Sequence, residues 1–276
     1  MSIGDAITAG IIYALTEVMG LSGSGHLAVV NTLFDLNLTE SHLLFKAFTE
    51  FAVMLALIVA FRKDIGGMIR DTAGLTGFGK HPVEKGTRYP EARLLFMLSV
   101  ATVPLLMMLP FRKAYFGLWD NTPFVGIMFI LNGLVLHVCE RMVPGKKGLG
   151  RMTTLDALIV GICQAVAIIP GLSRLALTVT AANAEGFQKN YAIRFGFLMA
   201  IPALFGAFVL SLADSAVAGI DTAHMTAYLI GAGTAFVTAF FGVYGFRRLV
   251  RRRGFGDLAY YSWIIGVLAI ILALIF

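Results

Sequence analysis

Charge is scarce in this sequence. Asp, Glu, Lys and Arg make up 14% of its 276 residues, while 58% are hydrophobic; a soluble domain keeps about a quarter of its residues charged. A surface facing water on all sides cannot be built from this composition, which excludes a soluble globular enzyme. Cysteine is equally sparse. Cys139 and Cys163 fall inside apolar runs, without the paired spacing of a disulfide framework, redox motif or zinc site, and read as packing residues. Residues 1–5 lack a basic n-region, and Asp5 stands where a positive charge belongs, so no cleavable signal peptide is expected. The net charge of +6 could suggest nucleic acid. In so apolar a chain, however, basic residues mark the cytoplasmic side of a membrane, and no nucleic-acid partner is expected.

What the sequence does contain is a series of long apolar runs. They cover about 44–62, 91–110, 122–140, 191–213, 223–246 and 256–276, each near the ~20 residues that cross a bilayer core as a helix. Two further segments, 5–21 and 155–172, end in Gly-Leu-Ser and lead into shorter helical stretches. An apolar segment interrupted in this way reads as half of a re-entrant helical hairpin. The two segments align without gaps at an offset of 151: Asp5, Ala6, Gly10, Ile11, Ala14, Gly20, Leu21 and Ser22 match Asp156, Ala157, Gly161, Ile162, Ala165, Gly171, Leu172 and Ser173. The expectation is an all-α polytopic membrane protein, with a single membrane domain over 1–276. It would be built as an inverted repeat, about 1–145 and 152–276, each half a re-entrant hairpin plus three transmembrane helices.

Charge distribution orients this arrangement. If the first hairpin enters from outside, the loop around 62–93 is cytoplasmic, with Arg62, Lys63, Arg70, Lys80, Lys85, Arg88 and Arg93. So are Arg141, Lys146, Lys147 and Arg151, then Lys189 and Arg194, then Arg247, Arg248, Arg251, Arg252 and Arg253. Eighteen of the 22 Lys and Arg residues are then inside, as the positive-inside rule requires. Arg112 and Lys113 lie outside, Lys46 near a span end, and Arg174 within the second hairpin. One hairpin enters from each face, and their tips meet near the midplane, where broken-helix transporters place their sites.

The first tip reads Thr16-Glu17-Val-Met-Gly-Leu-Ser22-Gly23-Ser24-Gly25-His26; the second reads Pro170-Gly-Leu-Ser173-Arg174, followed by Thr178. An ionisable residue at membrane depth is costly and points to a site. Broken helices free backbone N–H groups that suit an anion such as phosphate, and an arginine adds a planar fork of donors. Plainer readings stand beside this one: a structural Glu17–Arg174 ion pair, serines that only cap helices, and a His26 that only satisfies a carbonyl. Glu50, near the start of a span, either lines the cavity or pairs with Lys46.

At these motifs the chain resembles the undecaprenyl-diphosphate phosphatase, or bacitracin-resistance, family of membrane enzymes. The resemblance rests on Leu15-Thr16-Glu17, Ser22-Gly23-Ser24-Gly25-His26 and Pro170-Gly-Leu-Ser-Arg174, with a weaker match at Phe197-Leu-Met-Ala-Ile-Pro202. It implies hydrolysis of undecaprenyl diphosphate to the monophosphate and inorganic phosphate at a site open to the periplasm. That reaction recycles the lipid carrier of cell-wall synthesis, in a multi-pass protein of the bacterial inner membrane, assisted by a divalent cation (Mg or Ca). By position, the resemblance makes Arg174 the diphosphate clamp, Glu17 a metal ligand or base, and His26 an acid/base or orienting group. Ser22, Gly23, Ser24, Ser173 and Thr178 would bind phosphate.

The motif also departs from the family's. Tyr13 stands where the family carries a second glutamate, Gly23 where it carries a second tip serine, and Leu175-Ala176-Leu177 follow Ser173-Arg174 in place of Ser-Gly-Ala. Glu50 replaces a glutamine and is a candidate second metal ligand; Ser22, Ser24 or a water is left to attack. Expected partners are a polyprenyl diphosphate lipid and the bilayer, and a homodimer is compatible with the sequence. The alternative function is a catalytically altered polyprenyl-phosphate transporter or flippase.

Overall fold

In a computed structural model the chain is described over residues 1–34, 42–75, 90–112, 117–220 and 222–275. Lys80, Lys85, Arg88 and Lys113 of the charge argument lie outside these residues. The described residues form eleven α-helices: α1 (Ile3–Val18), α2 (Gly23–Phe34), α3 (Leu43–Ala60), α4 (Arg62–Leu75), α5 (Pro90–Met107), α6 (Thr122–Arg141), α7 (Thr154–Val166), α8 (Arg174–Ala184), α9 (Lys189–Ala218), α10 (Met225–Arg253) and α11 (Gly256–Ile275). Six of them, α3, α5 (continued to Phe111), α6, α9, α10 and α11, are long and apolar enough to cross a membrane. Their outward faces carry bare apolar side chains such as Phe96, Phe241 and Ile264, which suit lipid rather than water. The protein is therefore a multi-pass membrane protein, as its composition requires.

Several positions matched at the offset of 151 share local structure in the two segments. Asp5 and Asp156 each close a capping box, with Ser2 and Thr153, at the starts of α1 and α7. Gly10 and Gly161 each let their helix meet a neighbouring backbone: α1 against Gly231 of α10, and α7 against Ala101 of α5. A Cβ at either position would collide with that backbone. Small residues at such crossings are what allow close packing where lipid supplies no hydrophobic drive between helices. Gly20 and Gly171 both have positive φ, +75° and +95°, a conformation glycine adopts at little steric cost. Gly20 directly follows the C-cap of α1, and Gly171 lies in the turn that joins α7 to α8.

One segment differs from its expected form. Residues 62–75, read as loop, form the amphipathic helix α4, which buries Met68. A half-buried charge cluster holds it: Arg194 of α9 binds Asp64 at 2.5 Å and Glu91 at 2.9 Å, and Asp71 accepts the Glu91 N–H. A polar, charged sequence can be helical when a neighbouring cation gives its carboxylates a partner.

The packing is unequal around the centre. α3 lies along α9 and α10, and α6 along α11, whereas α5 and α9 meet only sparsely. The space between α5 and α9 is the cavity of the candidate site.

Candidate active site

The two tips meet backbone to backbone. A Cβ on Gly25 would lie 2.7 Å from both N and Cα of Gly171, so only glycine permits the approach. Ser22 is the hinge of this contact. It is the one non-glycine with positive φ, +67°, among the described residues. Its hydroxyl accepts N–H bonds from Gly25 of its own helix at 3.2 Å and from Gly171 of the other hairpin at 3.1 Å. Ser173 caps α8 through the Ala176 N–H at 3.3 Å. Both serines therefore act as helix caps, and both are buried.

Asn132, fully buried in the middle of α6, ties the two tips together. Its amide donates to the Gly20 carbonyl at 3.2 Å and to Ser262 of α11 at 3.1 Å, and its oxygen accepts the Ser173 N–H at 2.9 Å. It satisfies one free backbone group of each broken helix, groups that would otherwise be stranded in an apolar interior. Sequence reading missed this residue. The available signal was a polar amide inside an otherwise apolar span.

Arg174, the first residue of α8, points from the second tip to the first. Its guanidinium lies 3.3 Å from Glu17 Oε1, with side-chain exposures of 17% and 10%. The second Glu17 oxygen accepts the Gly23 N–H at 3.1 Å, at the free start of α2. Glu17 thus already occupies, from within the protein, a helix N-terminus and an arginine fork, the two features that would receive an anion.

Arg174 and Tyr13 border a cavity of about 430 Å³. Tyr13, Ser24, Lys46, Glu50, Arg174 and Ser211 form its polar lining, and Arg112 and Asp214, ion-paired with each other, line it as well. Glu50 accepts a 2.8 Å hydrogen bond from Ser211, while the Lys46 ammonium rests 3.9 Å over the Trp119 ring. The opposite lining is apolar, from Leu105 and Leu106 of α5 to Phe205 and Val209 of α9. Leu106 and Phe205 are 55% and 53% exposed, so the cavity reaches the outer, lipid-facing surface of the helices. Lys46, Asp214 and Arg112 escaped attention as cavity residues because charges near span ends read as interfacial.

Not every residue expected at the site faces it. Glu17 and Arg174 are together, Ser24 and Glu50 line the cavity, and Gly23 supplies its N–H. His26 instead turns toward α6 and α11. Its Nδ1 lies 2.9 Å from the Ser22 carbonyl and its Nε2 3.0 Å from the Tyr261 hydroxyl, with the Phe129 ring edge-on at 4.8 Å. Thr178 turns its hydroxyl back to the carbonyls of Arg174 and Leu175.

A divalent cation can be tested against these donors. No group of three or more His, Cys, Asp or Glu suited to a metal occurs among the described residues, so a divalent cation here would draw further oxygen ligands from waters or substrate phosphates. Mg²⁺ is commonly held by one or two carboxylates with waters and substrate phosphates. Glu50 on the wall and Glu17 beside Arg174 fit that pattern.

Comparison with known proteins identifies the family. The family model described as bacitracin resistance protein BacA matches residues 6–268. The chain is 31% identical over 274 residues to an undecaprenyl-diphosphatase of Carboxydothermus hydrogenoformans, covering 97% of this chain and 96% of the relative. It is 34% identical over 267 residues to the undecaprenyl-diphosphatase of Syntrophotalea carbinolica, covering 96% and 97%. The Halothermothrix orenii undecaprenyl-diphosphatase is 31% identical over 277 residues, the full length of both chains. A membrane protein whose two broken-helix tips meet around an arginine–glutamate pair, this chain belongs to the bacitracin resistance protein BacA family.

Proposed function

We propose that this protein hydrolyses undecaprenyl diphosphate to undecaprenyl phosphate and inorganic phosphate in the cavity between α3, α5 and α9. The observation that carries the reading is Arg174: a guanidinium at membrane depth that opens onto a cavity with an apolar, lipid-facing side. The terminal phosphoryl group would replace Glu17 at Arg174 and at the Gly23 N–H, and Ser24 would donate to a phosphate oxygen. Glu17, released, accepts a proton from the attacking water. Phosphoryl transfer needs mainly positioning and neutralisation of charge on the phosphate oxygens, and these groups supply both.

Where Mg²⁺ is bound, Glu17 and Glu50 would hold it, and it would add charge neutralisation at the phosphate oxygens. Ser22 and Ser173 keep the helix starts in place. His26 acts through position, holding the Ser22 carbonyl and thereby the strained turn.

The matched caps, packing glycines and positive-φ glycines support a single membrane domain duplicated as repeats of about 1–145 and 152–276, with two re-entrant hairpins entering from opposite faces. The distribution of basic residues supports an orientation in a bacterial inner membrane with the Lys46 end of the cavity toward the periplasm, where the reaction would recycle the lipid carrier. The transporter reading is less well supported. α3 packs closely along α10 where the equivalent pair, α5 and α9, stands apart, which favours one open site over two alternating ones.

The test is to incubate the purified full chain with undecaprenyl diphosphate and measure released phosphate, with Arg174→Ala alongside. Sustained turnover lost in the variant supports the enzyme. Intact diphosphate alongside saturable lipid binding would instead favour the transporter.

A further inference from the structure

The cavity holds another intramembrane cation that the tip motifs do not explain. Lys46 lies in the first turn of α3, one turn from Glu50, and lines the cavity together with Arg174. Trp119 fixes its ammonium at 3.9 Å, and it interacts electrostatically with Glu50, Asp214, Arg174 and Arg112. Arg112, ion-paired with Asp214, and Lys46 and Arg174 thus all line one cavity. A lysine at this depth is expensive unless it has a function or a partner.

We propose that Lys46 binds the phosphoryl group nearer the prenyl chain while Arg174 binds the terminal one, so that the two cations together select a diphosphate over a monophosphate. This rests on the diphosphatase reading above. A diphosphate is two anionic tetrahedra sharing one oxygen, and a single guanidinium would serve a monophosphate equally well. The start of α2, Glu17 and Ser24 are at the first tip, so the phosphorus under attack belongs there, beside Arg174. The remaining phosphoryl group then falls to Lys46.

In the reaction, the water oxygen bonds to the terminal phosphorus as the bond from that phosphorus to the bridging oxygen breaks. The electron pair stays on the bridging oxygen, which leaves as part of the prenyl monophosphate. One water proton remains on the inorganic phosphate and the other passes to Glu17. The Lys46 ammonium meets the charge that grows on the departing group, an interaction stronger in the transition state than in the ground state.

The experiment is steady-state hydrolysis of undecaprenyl diphosphate by the full chain in detergent, with Lys46→Met, Lys46→Gln and Lys46→Arg. Product inhibition by undecaprenyl phosphate and by inorganic phosphate is measured for each. Loss of the charge should lower kcat/KM on the order of tenfold or more. It should weaken inhibition by the lipid monophosphate and leave inhibition by inorganic phosphate unchanged, with Lys46→Arg restoring most of the rate. The proposal is overturned if monodisperse Lys46→Gln keeps wild-type constants, if both inhibitors weaken equally, or if Lys46→Arg recovers nothing. Wild-type protein that releases no phosphate would remove the diphosphatase reading itself; a hydrolysing wild type with an indifferent Lys46 removes only this inference.

Discussion

Replacing Asn132 with leucine should loosen both hairpin tips at once. The substitution keeps the side chain near its size but removes three hydrogen bonds, to Gly20, Ser173 and Ser262. The Gly20 carbonyl and the Ser173 N–H would be left buried without that partner. Each such loss costs about 1–3 kcal/mol, so the two together give about 2–6 kcal/mol. The Ser262 hydroxyl can rotate to another acceptor and adds less. Interhelical hydrogen bonds in membrane proteins average only ~0.6 kcal/mol in double-mutant cycles. Three bonds of that size give about 2 kcal/mol, which is the floor of the estimate. The assay is thermal or denaturant unfolding in detergent, combined with a cycle against Ser262→Ala. Asn132→Leu should be destabilised by at least about 2 kcal/mol and should lose phosphatase activity beyond what its stability explains, because Ser173 positions Arg174. A variant with wild-type stability and rate would refute the role of Asn132 as the tie between the tips.

Gly25→Ala should fold poorly or lose activity, since its Cβ would lie 2.7 Å from the Gly171 backbone; unfolding curves beside those of Gly148→Ala, where the added Cβ meets open space, check this. Ser24→Ala should raise KM for the diphosphate without altering stability, whereas Ser22→Ala, which removes two N–H acceptors at the tip contact, should lower the melting temperature as well as the rate. Glu50→Gln keeps a partner for Ser211 but removes the wall's carboxylate. The expected result is a lower rate and a weaker response to added Mg²⁺, and unchanged turnover and metal response would take Glu50 out of the mechanism.

The spans and the Glu17–Arg174 pairing were legible in the sequence because charges and Gly-Leu-Ser breaks stand out against apolar runs. Those features arise from the cost of unpaired groups in lipid, a cost that local sequence reports directly. Which way a helix face turns is not reported in the same way. Ser24 and His26 are two residues apart at the start of α2, and residues at that spacing do not share a helix face. Once Ser24 lines the cavity, His26 must look elsewhere, and it finds Tyr261. Helix α4 was hidden because its Asp64 is stabilised by Arg194, 130 residues later in the chain. Lys46, Arg112 and Asp214 were visible as charges, but that they line one cavity depends on how α3, α5 and α9 are arranged.

The central claim is that Arg174 receives a lipid diphosphate inside the membrane. Equilibrium binding of a methylene-bridged, non-hydrolysable polyprenyl diphosphate to the purified protein in lipid nanodiscs tests it most directly, comparing wild type with Arg174→Gln. Saturable binding weakened on the order of tenfold or more in the variant is the expected result. Equal affinity in the two proteins would contradict the account.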